Sequence, residues 1–208
     1  VILPAQVDIC DGASSVLNPG TFTAYTWSNG STGSSLQVSA TGTYAVTVTD
    51  QHGCTGTGST AVQVHNNPTP AIQGDHEICD GENTILNVPG VFTAYSWSPG
   101  SNATVLPVTT AGTYTVIVTD AYGCTGSAIF DVTVHPRPAV SITGDLSICE
   151  GEQTTLQVIS DPATYQWSTG ASTVSITTGS GGQYAVTATN SFGCTKIATT
   201  VVDRHAKP

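Results

Sequence analysis

Six cysteines, five histidines and a set of acidic turns are the residues of this chain whose types could do chemistry. The cysteines fall at Cys10, Cys54, Cys79, Cys124, Cys149 and Cys194, and no two of them form a Cys-x-x-Cys pair. That spacing favours disulfides over zinc, and disulfides predict an oxidising compartment. His65, His135 and His205 recur at a fixed step with no second ligand at constant spacing, so they read as packing residues rather than a metal site. Asp75, Glu77, Asp80 and Glu82 cluster, and Asp50 and Asp120 sit in hairpin signals. Calcium takes six to eight oxygens, which makes Asp50, Asp80, Glu82 and Asp120 weak calcium candidates. No DxDxDG-type loop accompanies them, and an acid shortly before a Gly is ordinary turn chemistry. The expected cofactor set is therefore none.

Trp27, Trp97 and Trp167 could stack on sugars, but each shares a strand face with a Tyr and is expected in a core, together with Tyr44, Tyr114 and Tyr184. Tyr122 and Phe192, with His52 in the corresponding place, stand at hairpin tips and are expected to pack on a preceding repeat. Phe22 and Phe92 precede the Tyr-x-Trp segments, whereas Pro162 stands there in the third copy, so no aromatic strip recurs. A hydrolase needs a nucleophile, a base and an orienting group converging in a cleft. Nothing singles out one Ser or Thr beside a His, and paired carboxylates for glycoside cleavage would have to come from turns. No catalytic residue is expected, and the chain reads as a non-enzyme.

These residues recur because the chain repeats. Gly112-Thr-Tyr-Thr-Val-Ile-Val-Thr-Asp-Ala-Tyr-Gly-Cys124 has near-copies at Gly42 to Cys54 and Gly182 to Cys194. Such a period means one small module in tandem, and it predicts three domains at 1–67, 68–137 and 138–208. Modules of this size have only marginal apolar cores, and staples are common in them.

Composition narrows the function. Four basic residues face fourteen acidic ones, for a formal charge of −10. Nucleic-acid binding depends on Lys and Arg neutralising phosphates, so nucleic acid is excluded as a partner, and anionic membrane surfaces are excluded with it. No apolar run approaches the ~20 residues of a membrane span. The chain opens at Val1 rather than Met and reads as a segment of something longer.

The elements that must position these groups are strands. Apolar and polar residues alternate, rich in Val, Thr and Tyr, and are broken by Gly, Pro, Asn and Asp. In the second repeat a first strand is expected from Ala71 and Ile72 to Cys79. Others follow with Leu86 and Val88 on one face, over Phe92 to Trp97, over Val105 to Val108, over Tyr114 to Val118 and over Ile129 to Val134. Pro68, Pro70, Pro136 and Pro138 mark the junctions. Short strands with regular turns predict an all-β fold of sandwiches.

At this point the pattern resembles the immunoglobulin superfamily, intermediate set. Asp80-Gly-Glu-x-x-Ile-Leu-x-Val88 is similar to its first turn and second strand, Trp97 to its core Trp, and Gly112-x-Tyr114-x-Val116 with Asp120-x-x-Gly123 to its Tyr-containing strand and hairpin. The family's two core cysteines fall at Val88 and Val116, so its usual disulfide is missing. The pattern Ile78-Cys79-Asp-Gly81, Tyr95-Ser-Trp97-Ser-Pro-Gly100 and Gly112 to Cys124 further resembles the Ig-like and PKD-like repeats of large secreted surface proteins of Bacteroidetes. This resemblance implies export to the cell surface and roles in adhesion, gliding or polymer attachment.

Within the Ig-like reading, Cys79 stands at one end of the sandwich and Cys124 at the other, about 20 Å apart at ~3.3 Å per residue. A disulfide needs Cα atoms within about 7 Å. An end-to-end array of such domains favours Cys10–Cys124 and Cys79–Cys194, leaving Cys54 and Cys149 for repeats outside the segment. Pairing within each repeat stays open as the alternative. The expected fold is thus three tandem Ig-like sandwiches in an elongated array. The expected function is a non-catalytic extracellular stalk or adhesin segment whose partners are neighbouring repeats and, in addition, a cell-surface or polysaccharide ligand. The alternative function is a carbohydrate-binding accessory region of a secreted polysaccharide-degrading enzyme.

Overall fold

A computed structural model describes residues 1–161 and 163–208, so Pro162 and the comparison made through it lie outside the described residues. Six strands form the first copy: β1 (Gln6–Cys10), β2 (Ser15–Leu17), β3 (Ala24–Trp27), β4 (Leu36–Val38), β5 (Gly42–Thr49) and β6 (Thr55–His65). The second comprises β7 (Glu77–Cys79), β8 (Thr84–Asn87), β9 (Ala94–Trp97), β10 (Val105–Val108), β11 (Gly112–Thr119) and β12 (Thr125–His135). The third has β13 (Val140–Thr143), β14 (Ser147–Cys149), β15 (Thr154–Ser160), β16 (Thr164–Trp167), β17 (Ser175–Thr178), β18 (Gly182–Thr189) and β19 (Thr195–His205). Among the described residues there is no helix, and the fold is all-β. By compactness the chain divides into two units. One holds Val1–Gly74, Ile85–Leu106 and Thr113–Asp131, and the other Asp75–Thr84, Pro107–Gly112 and Val132–Pro208.

In the first unit one sheet runs in the order β1-β6-β5-β3 and faces the pair β2-β4. The first strand runs parallel to the last, with Gln6 opposite Ala61 and Cys10 opposite His65, while β5 is antiparallel to both β6 and β3. This arrangement is Ig-like. The alternation of the strands sends Leu17, Leu36, Val38, Val46, Val48 and Val62 inward around Trp27. Trp27 is 2% exposed, and its indole N–H donates to the Gly33 carbonyl at 2.9 Å, so the one polar atom of the ring is satisfied inside the core. The same unit holds the β9–β11 pairing with Val116 opposite Trp97, which is buried with Leu86, Val88 and Val118.

The second unit contains the sheets β14-β19-β18-β16 and β13-β15-β17. Its core gathers Ile148, Leu156, Val158, Val186 and Val202 about Trp167 and Tyr184, and the Trp167 indole donates to the Thr173 carbonyl. The parallel first-to-last pairing recurs here twice, as β7 beside β12 and β14 beside β19.

Two expectations need correction. The first strand is not continuous. In the third copy it splits into β13, antiparallel to β15, and β14, parallel to β19, because one straight strand cannot belong to both sheets. The break falls at Gly144, at φ 150°, where an added Cβ would lie 2.6 Å from the Thr155 carbonyl oxygen. In the second copy the Ala71–Ile72 segment is reduced to a bridge between Gln73 and Asn87. The tyrosines also differ from a uniform core set: Tyr184 is buried, but Tyr44 and Tyr114 are half-buried. Tyr44 and Tyr184 each turn the phenol O–H to the backbone four residues upstream, at Ala40 and Ser180. This is the corner bond of Ig-like sandwiches, and it draws the ring toward the sheet edge.

Candidate functional site at the repeat junctions

The parallel pairing of first and last strands fixes a Cys beside a His at one end of each copy. Cys10 lies opposite His65, Cys79 opposite His135 and Cys149 opposite His205. The other three cysteines follow the hairpin that precedes the last strand. In that hairpin Asp50 Oδ1 accepts from the backbone N–H groups of His52 and Cys54 at 2.8 and 2.9 Å, and Asp120 Oδ1 from those of Tyr122 and Cys124 at the same distances. In the third copy the amide oxygen of Asn190 does the same for Phe192 and Cys194. A neutral side chain serves equally well, so the role of the acid is to hold the turn and aim the thiol. Glu82 Oε2 accepts from the Cys79 N–H, and the Asp80 carbonyl accepts from Arg137. Among the described residues no three His, Cys, Asp or Glu side chains stand together in a way that could hold a metal ion.

The two kinds of cysteine stand at opposite ends of a sandwich. Cys10 is level with the last residue of β6 and Cys54 immediately precedes its first, and β6 has 11 residues. At ~3.3 Å per residue that is roughly 35 Å, far beyond the reach of a disulfide. Each thiol reaches instead into an adjoining repeat. In the first unit Cys10 is bonded to Cys124, with Cα atoms 5.4 Å apart, and in the second unit Cys79 is bonded to Cys194 at 5.6 Å. Cys54 and Cys149 are free and exposed.

A ring stack accompanies each bond. His65 lies on Tyr122 with centroids 3.6 Å apart and planes at 14°, and His135 lies on Phe192 at 3.9 Å and 12°. Tyr122 and Phe192 stay 60% and 56% exposed, so each ring gives one face to the imidazole and the other to solvent. His65 Nε2 is 2.8 Å from Asp8 Oδ1. That hydrogen bond, with a smaller one from Gln6, holds the Asp8 carboxyl below its ordinary value of 3.8. The Glu77 carboxylate stands 3.8 Å from His135 Nε2.

Three further groups were not singled out from the sequence. The Arg137 guanidinium donates through Nε to the Asp80 carbonyl, through Nη2 to Glu82 Oε1 and through Nη1 to the Thr195 carbonyl of the following repeat. Asn190 Nδ2 donates to the Pro136 carbonyl across the same junction. Asn67 repeats part of the Arg137 role by donating to the Asp11 carbonyl at 3.1 Å. The signal was available, since Asn67, Arg137 and Lys207 each stand two residues after the recurring His. Their different types conceal the common position. In the first unit the linker also lies so close to β12 that a Cβ on Gly126 would fall 1.8 Å from the Pro68 carbonyl oxygen.

No protein-family model matches the chain, and no curated protein matches it. Among solved structures it is similar to the eight N-terminal Ig domains of Down Syndrome Cell Adhesion Molecule, at 15% identity and TM-score 0.48 over 99% of this chain. The chain spans 36% of that structure's length. It is also similar to a three-Ig segment of a titin variant, at 14% identity and TM-score 0.46 over 99% of this chain and 97% of that one. A third likeness is to a bacterial ice-binding adhesin, at 13% identity and TM-score 0.38, covering 96% and 94% of the two chains. At such identities and TM-scores none of them assigns a function.

Proposed function

We propose that this chain is a non-catalytic spacer or adhesin segment of a secreted or cell-surface protein, in which repeats bounded at 1–67, 68–137 and 138–208 hold other modules apart. The observation that carries the reading is the recurrence of one clamp, a disulfide beside a His–aromatic stack, at both junctions. Small domains in one chain usually move against each other. A covalent bond at each junction opposes that motion, which suits a spacer and serves no purpose in an independently acting module. Disulfides persist in oxidising surroundings, which supports an extracellular location. The resemblance to surface repeats of Bacteroidetes belongs to the same reading, with neighbouring repeats as the first partners.

The rings that a carbohydrate site would use are committed elsewhere. Trp27, Trp97 and Trp167 are each 2% exposed, and Tyr122 and Phe192 each have one face on an imidazole. The test is a pull-down on insoluble cellulose, xylan and chitin. The spacer reading expects no retention at micromolar protein, with or without EDTA. Retention on one polymer would sink it in favour of a carbohydrate-binding region.

A further inference from the structure

Each junction joins two half-sites, and one of each kind is left without a partner. The hairpin half-site appears as Tyr122 with Cys124 and as Phe192 with Cys194, where both cysteines are 1% exposed. Its third copy, His52 with Cys54, is fully open. The strand-end half-site appears as Cys10 with His65 and as Cys79 with His135, all half-buried. Its third copy, Cys149 with His205, is exposed. Both open half-sites are concave: one groove is lined by Phe22, Thr23, Asp50 and His52, the other by Glu150, Arg204 and His205.

We propose that these two surfaces bind each other between molecules, the Cys149 end of one chain receiving the Cys54 end of a second copy of this chain, head to tail. The template is the junction already present twice. In it His205 takes the place of His65 and His135, and His52 of the second copy takes that of Tyr122 and Phe192. Lys207 stands where Arg137 stands and meets the Thr55 carbonyl as Arg137 meets that of Thr195. Docking brings the two free thiols to the separation at which Cys10 and Cys124 are bonded. The bond then forms by exchange with a disulfide oxidant such as oxidised glutathione. The Cys149 thiolate attacks one glutathione sulfur and releases one reduced glutathione. The Cys54 thiolate of the second copy next displaces the other. Two protons and two electrons leave the protein thiols, and one S–S bond joins the chains.

The test uses the full chain with its two internal disulfides intact. Cys54→Ser retains only the Cys149 thiol and Cys149→Ser only the Cys54 thiol, and both replaced side chains are exposed, so folding is undisturbed. The two variants, one carrying a mass tag, are mixed in equal amounts in a glutathione redox buffer and resolved on a non-reducing gel. Templated docking predicts mixed dimers in roughly tenfold excess over both same-variant dimers, as a raised effective concentration requires. His205→Ala should lower that excess, and His52→Tyr, which restores the ring present at Tyr122, should raise it. Mixed dimers at the one-half share given by random thiol encounter would overturn the proposal. An internal Cys54–Cys149 bond in monomers of the unsubstituted chain would overturn it equally.

Discussion

The two disulfides overlap along the chain, and under tension this has a consequence that neither bond has separately. Cys10–Cys124 and Cys79–Cys194 close loops with sequence separations of 114 and 115. Pulled from both termini, the shortest covalent path runs from Val1 to Cys10 and crosses to Cys124. It then turns back to Cys79, crosses to Cys194 and leaves at Pro208. That path holds roughly 68 residues, so the fully unfolded oxidised chain extends to about 240 Å at ~3.5 Å per residue. The fully reduced chain extends to about 720 Å. Removing one bond frees very little. Without Cys10–Cys124 the path runs through Cys79–Cys194 and lengthens by only about 24 residues, or roughly 85 Å. Independent loops of this size would each release roughly 400 Å. Cys124→Ser should therefore add about 85 Å, Cys194→Ser about the same, and both together about 480 Å. Optical-tweezers extension of the tethered protein and these variants reads the values directly. Equal gains of roughly 150 Å that simply add would refute the reasoning, because that is the result for cysteines paired within each repeat.

Three other outcomes follow from side chains at the cores and junctions. Trp97→Ala should lower stability by about 3–5 kcal/mol, since the indole is 2% exposed and its N–H satisfies the Ala103 carbonyl; denaturant unfolding measures it. Asp120→Asn should unfold close to the unsubstituted protein because Asn190 already makes the same two turn bonds, whereas Asp120→Ala should lose about 1–2 kcal/mol. The Asp8 carboxyl is held below 3.8 when folded, so its contribution is present above that pH and is lost as pH falls through the folded value. Acid titration of stability in Asp8→Asn should lack that loss; an unchanged acid limb would exclude the His65 pairing as its cause.

Much of the fold was legible because the chain states it three times. Alternation marked the strands, and a Trp on a strand shared with Tyr marked the centre of each sandwich. The break at Gly144 was not legible, because switching sheets depends on where a second sheet lies and leaves only a glycine in the sequence. The half-burial of Tyr44 and Tyr114 was hidden for a similar reason: the corner bond pulls the ring toward the edge while the pleat pattern still counts it inward. At the junctions the recurring Cys and His could be read from their spacing. Arg137 and Asn190 could not, since their bonds cross between repeats and the equivalent positions carry Asn67 and Lys207, or Asp50 and Asp120. A one-sided contact of this kind leaves no period to find.

The central claim, that each junction is closed by a covalent bond between successive repeats, is tested most directly by a non-reducing peptide map. The protein is digested at low pH with free thiols blocked. The account predicts peptides joining Cys10 to Cys124 and Cys79 to Cys194, with the blocking group on Cys54 and Cys149. Peptides joining Cys10 to Cys54, Cys79 to Cys124 and Cys149 to Cys194 would contradict it.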